Sequence, residues 1–167
     1  DRMCIPRVPV EDFVQAVKAL VELEKDWVPH IDGASLYIRP FVFATDVGLG
    51  VHASKRYLFS IICAPSGAYY AEGINPVRIY VEDEYIRAAP GLTGFTKCGG
   101  NYAASIKAGE EAEKKGFAQV LWLDGVEKKY VEEVGSMNIM FKIDGKIYTA
   151  SCDGTVLPGV PRRSCIE

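Results

Sequence analysis

Gly91-Leu-Thr-Gly-Phe-Thr-Lys-Cys-Gly-Gly-Asn-Tyr102 sets one lysine, Lys97, among four glycines, with a phenol five residues downstream. Glycine lets a backbone turn sharply and lets a flat ligand come close. A lysine held in such a turn can be desolvated, which lowers its pKa and frees the neutral amine that condenses with carbonyl groups. The G-x-x-x-x-G-K-[ST] spacing of a phosphate-cradling loop is absent. Taken alone, a glycine-rich turn carrying a lysine is more often an ordinary loop. Its meaning depends on what surrounds it.

Working outward, Val77 to Glu82 is strand-like and leads through Tyr85-Ile86-Arg87 to the lysine turn, and Ala103 to Lys115 reads as a helix. Val120 to Leu123, Met137 to Ile143 and Lys146 to Ala150 read as short strands, the last two joined by the strong hairpin signal Asp144-Gly145. Arg162 to Glu167 looks like the first turns of a helix. Upstream, Val10 to Asp26 reads as an amphipathic helix with Phe13, Val14, Val17, Leu20, Val21 and Leu23 near one face. Leu36 to Ala44 and Tyr57 to Ala64 are rich in Ile, Val, Phe and Tyr and read as strands. Pro65 to Pro76, with two glycines and two prolines, is the best linker candidate. The fold class expected is therefore α/β to α+β, in two parts: 1–66, a linker at 67–76, and 77–167.

Composition narrows the function. Nearly half of the 167 residues are apolar, enough for a core, and a formal charge of −3 leaves no footprint for nucleic acid or an acidic membrane. No apolar run approaches the roughly 20 residues needed to span a bilayer. Five cysteines without a C-x-x-C pair point to a reducing, cytoplasmic compartment, with Cys63 and Cys152 read as buried small apolar side chains. With His30 and His52 far apart, no metal site is expected.

The company of the lysine turn is specific. Glu133-Val-Gly-Ser-Met-Asn138 follows a strand-like run, and Leu157-Pro-Gly-Val-Pro-Arg162 follows that. In this order the three motifs resemble the branched-chain amino-acid aminotransferases, pyridoxal-phosphate enzymes of fold type IV. Glu24-Lys-Asp-Trp-Val-Pro29, Ser35-Leu-Tyr-Ile-Arg-Pro40, Gly67-Ala-Tyr-Tyr70 and Gln119-Val-Leu-Trp-Leu123 also read like that family, so the resemblance covers nearly the whole chain. It implies a small N-terminal domain, a linker, a larger C-terminal domain that is incomplete here, and pyridoxal 5′-phosphate between the domains. The activity implied is transamination between Leu, Ile or Val and 2-oxoglutarate, by a homodimer acting on amino acids and 2-oxo acids.

The resemblance also assigns residues. Lys97 is the lysine that holds the cofactor and shuttles the substrate proton, work that one amine close to both atoms can do. A carboxylate against the cofactor's ring nitrogen keeps that nitrogen protonated. Neighbours in a strand point to opposite faces, and the motif selects Glu133, leaving Glu132 as a solvated charge. Tyr102 matches the tyrosine that meets the cofactor's 3′ oxygen, and Ser136 and Met137 lie near the cofactor face and substrate carboxylate. Gly159 and Val160, at a helix start, and Arg2 match the phosphate-binding positions. Tyr37 and Arg39 share one strand face and match substrate-pocket residues, while Leu49 and Val51 match a loop that reaches the partner subunit's pocket. The chain departs from the pattern at Pro161, where a free N–H is usual. Competing readings are a D-amino-acid aminotransferase, an aminodeoxychorismate lyase, or a non-catalytic dimerisation or binding module.

Overall fold

Alternating apolar residues and interposed turns build three separate sheets in the computed structural model, which describes residues 2–69, 73 and 75–167. The chain divides into two compact units, Asp1–Ile74 and Asn75–Glu167. The linker expected at 67–76 and the Gly67–Tyr70 motif include Tyr70, Ala71, Glu72 and Ile74, which lie outside the described residues.

In the first unit, helix α1 (Val10–Leu23) follows Pro9, whose fixed φ of −55° opens the helix, and a short 3-10 turn (Lys25–Trp27) succeeds it. Strands β1 (Ser35–Ala44) and β2 (Tyr57–Ser66) pair antiparallel over their full length, Ser35 opposite Ser66 and Ala44 opposite Tyr57. Phe13 of α1 meets Phe59 of β2 with ring centroids 5.8 Å apart. The helical stripe read from the sequence is therefore real, although Val14 and Leu23 at its edges stay exposed. Cys63 is half-buried and Cys152, in the second unit, is exposed, so neither is the buried apolar side chain expected.

The second unit is built on β3 (Ile79–Glu82), α2 (Gly99–Lys114), β4 (Gln119–Leu123) and β5 (Val131–Val134). β3 runs parallel to β4, with α2 as the crossover, and β5 adds antiparallel to the other edge of β4. Ala108 and Ala112 of α2 pack on Val120 and Trp122 of β4, with Tyr80, Tyr85 and Phe117 around them. Two alanines let the helix sit close to the sheet, and Trp122 fills the space at 1% exposure while its indole N–H donates to the Gly135 carbonyl at 3.0 Å. β6 (Met140–Ile143) and β7 (Lys146–Thr149) form a hairpin. Its Asp144-Gly145 turn has φ of 49° and 77°, the left-handed pair that matches strand twist. Helix α3 (Val160–Ile166) closes the described chain. Among the described residues no helix is long and apolar enough to cross a membrane.

Candidate active site

The lysine turn lies between β3 and α2, on the stretch where the parallel crossover begins. Its backbone bonds to itself, Thr96 N to Thr93 O at 2.8 Å and Cys98 N to Thr96 O at 2.9 Å. Asn101, in the first turn of α2, locks it from inside. Its amide donates to the carbonyls of Thr93 and Thr96, both at 2.7 Å, and its oxygen accepts from the Thr93 hydroxyl at 2.8 Å. Lys97 thus follows a residue whose carbonyl is fixed, and its Nζ lies 5.1 Å from the centre of the Tyr102 ring, one turn into α2. The desolvation expected for Lys97 is not found: within this unit the side chain is exposed.

Glu133 is positioned by two turns that flank β5. Before it, the Asp124 carboxylate accepts four backbone N–H groups, from Val126, Glu127, Lys129 and Tyr130, which fixes the loop and holds that carboxyl far below the usual range. After it, Val134 and Met137 exchange backbone hydrogen bonds of 2.9 and 2.8 Å around Gly135. Glycine suits this turn: φ is 53°, and a Cβ would push the Gln119 side-chain oxygen aside.

Between these turns Glu133 is 1% exposed. Its Oε1 accepts from the Leu157 N–H at 2.8 Å, and Asn138 reaches the same oxygen at 3.4 Å while donating to the Leu157 carbonyl at 2.9 Å. Its Oε2 lies 3.2 Å from Arg87 Nε, although that N–H makes no aligned hydrogen bond among the described residues. Burial pushes the Glu133 carboxyl up, and the Leu157 N–H and the Arg87 guanidinium pull against it.

Glu132 corrects the sequence reading. It is not a solvated charge but 7% exposed, on the opposite face of β5, with Oε1 accepting from the Thr155 hydroxyl at 2.5 Å and Oε2 without a partner among the described residues. Burial raises its carboxyl, with the Thr155 hydrogen bond opposing. Alternation holds, but it does not imply solvation, because β5 is covered on both faces: Glu132, Glu133 and Val134 are all buried.

Of the residues singled out in the second unit, Tyr102, Glu133 and Ser136 share one small recess of about 10 Å³, with Arg87, Asn101 and Leu157 also lining it. That is room for about one water. The Tyr102 hydroxyl is buried and lacks a partner among the described residues. Met137 is half-buried and Ser136 exposed. Gly159 and Val160 form the start of α3, where a Cβ on Gly159 would lie 2.2 Å from the Asn138 side-chain oxygen, so this segment is pressed against the Glu133 network. A larger cleft of about 760 Å³ contains Glu132, Phe141, Tyr148 and Thr155 but none of the expected site residues.

Arg2, Tyr37, Arg39, Leu49 and Val51 belong to the first unit. Arg39 donates to the Tyr37 hydroxyl at 2.9 Å, as two residues on one strand face can. Leu49 and Val51 are fully exposed. The sequence reading gave no role to Arg87, Asn101, Asn138 or Thr155. Arg87 had a signal, a charge set in Tyr85-Ile86-Arg87-Ala88-Ala89, but nothing local names its partner.

Comparison with known proteins places these features in a family. The profile described as Amino-transferase class IV matches residues 3–167. Branched-chain-amino-acid aminotransferase 2 of Bacillus subtilis (strain 168) is 56% identical over 166 residues, covering 99% of this chain and 46% of the relative. The branched-chain-amino-acid aminotransferase of Mycobacterium tuberculosis (strain CDC 1551 / Oshkosh) is 44% identical over 171 residues, covering 99% of this chain and 46% of the relative. A crystal structure of the T.th. branched-chain amino acid aminotransferase with pyridoxamine 5′-phosphate superposes with a TM-score of 0.77 at 30% identity, covering 97% of this chain and 51% of that one. The chain therefore spans about half the length of the relatives it matches.

Proposed function

The chain belongs to the class IV aminotransferases, and on that premise we propose that the full-length protein is a pyridoxal-phosphate-dependent transaminase acting between branched-chain L-amino acids (Leu, Ile, Val) and 2-oxoglutarate. The observation that carries this reading is the convergence of Tyr102 and Glu133 on one recess, with the Lys97 amine against the Tyr102 ring. The relatives' names support the substrate class.

The residues fit pyridoxal 5′-phosphate on the structure's own terms. The Tyr102 hydroxyl is a buried donor without an acceptor among the described residues, as expected where a ligand oxygen completes the bond. Glu133 is a buried carboxylate fixed in direction by Leu157 and Asn138. Lys97 is an amine at the end of a turn held by Asn101. When bound, the cofactor supplies the electron-withdrawing ring that stabilises negative charge at the substrate's α-carbon.

The residues of this chain would take the following tasks. Lys97 would anchor the cofactor and, once released by the incoming substrate amine, would carry the proton between the substrate α-carbon and the cofactor's C4′ carbon. Glu133 holds the ring-nitrogen proton, and Tyr102 donates to the ring oxygen. Ser136 and Met137 would flank the ring, and the Gly159–Val160 backbone, where the Gly159 N–H already donates to the Leu157 carbonyl at 2.8 Å, would hold the phosphate together with Arg2. Pro161 contributes no N–H to that set. Tyr37 and Arg39 receive the substrate carboxylate, and Leu49 and Val51 shape an apolar pocket shared across a homodimer. In this proposal 1–66 is part of the small domain, 77–167 is part of the cofactor domain, and the protein is cytoplasmic, in keeping with free cysteines throughout the described residues.

Borohydride reduction of the full-length protein loaded with pyridoxal phosphate, followed by peptide mapping, is expected to leave the pyridoxyl group on Lys97. A label on another lysine would overturn the assignment. Turnover of L-leucine in preference to D-alanine is expected, and the reverse preference would move the protein to another branch of the family.

A further inference from the structure

One side chain touches all three segments that converge on the site. Arg87 is 8% exposed and sits just after β3, outside every motif that marks the family resemblance. Its Nη2 donates to the Gly94 carbonyl at 3.1 Å, on the lysine turn, and also to the Thr155 carbonyl, on the segment that runs through Leu157 to α3. Its Nε lies 3.2 Å from Glu133 Oε2, on β5. We propose that Arg87 is a positioning residue: its guanidinium holds the Glu133 carboxylate and ties it to the turn that carries Lys97. The inference rests on the cofactor-facing role of Glu133 given above.

The chemistry of the fork makes the role specific. Arginine stays charged under all relevant conditions and presents several donors in one plane, so one residue can satisfy two carbonyls and still face a carboxylate. Lysine has the charge without the planar fork. The groups charged around Glu133 are Arg87 and Lys97, which favour its ionised form, and Glu132, which opposes it. Loss of Arg87 leaves burial and Glu132 acting against the carboxylate, with only the Leu157 N–H, the Asn138 amide and Lys97 in support. A protonated Glu133 cannot hold a proton on a ring nitrogen, so the site would lose its acid function although every motif residue were intact.

A buried ion pair by itself is weak evidence of function, because a well-packed apolar pair is often as stable. The test therefore reads the charge state of Glu133 directly. In the cofactor-free full-length protein, carbon-13 labelled glutamate is titrated by NMR, the Glu133 signal being identified by its loss in Glu133→Gln. Arg87→Gln is expected to raise the Glu133 midpoint by at least one pH unit, and Arg87→Lys, which keeps the charge without the fork, is expected to reverse only part of that shift. A midpoint that stays within a few tenths of a unit in folded Arg87→Gln would overturn the inference, whatever becomes of activity.

If Arg87→Gln does not fold, the double variant Arg87→Gln/Glu133→Gln decides. Recovery of the native circular dichroism in the double variant supports a coupled pair. Failure to fold in both overturns the proposal, because Arg87 is then needed only for the carbonyls of Gly94 and Thr155. Labelling of Lys97 by borohydride is independent of these outcomes, so the inference can fail while the proposed activity stands.

Discussion

Replacing Gly94 by alanine separates the glycines that the lysine turn needs from those it merely contains. A Cβ at Gly94 would lie 2.5 Å from the Ala88 Cβ, 2.8 Å from the Thr155 carbonyl oxygen and 3.1 Å from the Thr155 Cα. Two of these are backbone atoms, and the third is on a buried alanine that cannot rotate away. Either the turn or the Thr155 segment must move, and both are bonded to Arg87. Overpacking a tight site costs about 1–3 kcal/mol. Weakening a hydrogen bond to a charged group costs roughly 1.5–3 kcal/mol. The two share one displacement and do not add fully, so a loss of about 2–4 kcal/mol is expected.

The controls lie in the same stretch. Gly99 and Gly100 are in the first turn of α2, with ordinary φ and open space where a Cβ would stand, and alanine there is expected to be neutral or to gain up to about 1 kcal/mol. Gly91 has open space but a φ of 80°, so alanine there costs about 1–2 kcal/mol in backbone strain alone. Urea unfolding of the cofactor-free full-length variants measures all four, with the slope checked for constancy. A Gly94→Ala variant within about 0.5 kcal/mol of the parent, the range of a surface substitution, would refute the close-approach argument. So would a larger loss at Gly99 or Gly100.

Two further predictions concern buried polar groups. Burial raises the Glu132 carboxyl, so the folded chain holds a proton that the unfolded chain has released; this stabilisation is present at the low end of the window and is lost as pH rises through the folded value. Glu132→Gln mimics the protonated form, so its unfolding free energy should match the parent near pH 4.5 and exceed it above the window; parallel curves would show that Glu132 does not titrate in this way. Tyr102→Phe removes a buried hydroxyl without a partner and should stabilise the cofactor-free protein by up to about 1–3 kcal/mol. The same change should weaken pyridoxal phosphate binding about tenfold, roughly the worth of one lost hydrogen bond; unchanged affinity by fluorescence titration would remove Tyr102 from the cofactor site.

Elements with a local cause were legible. The stripe on α1, the alternation in β1 and β2 and the Asp144-Gly145 turn each follow from periodicity or from a required φ. The start of α2 was not: it begins at Gly99, four residues before the helical composition does, because Asn101 ties the first turn to Thr93 and Thr96 and overrides glycine's poor propensity. Glu133 and Lys97 were singled out through motifs, whereas the burial of Glu132 depends on Thr155, a contact that only the folded chain creates. Arg87 is the sharpest case. Its three partners come from three separate segments, and no spacing rule connects them.

That arrangement explains why the lysine turn can be rich in glycine without being loose. Gly94 gives up its side chain so that the turn can press on Thr155, and its carbonyl receives Arg87. Arg87 then faces Glu133, whose other oxygen accepts the Leu157 N–H just before α3. Displacing any one of these segments moves the carbonyl that orients Arg87 or the carboxylate that Arg87 faces. Within this unit the location of the Lys97 turn and the charge of Glu133 are therefore one property of the fold, and a substitution that disturbs the first is expected to disturb the second.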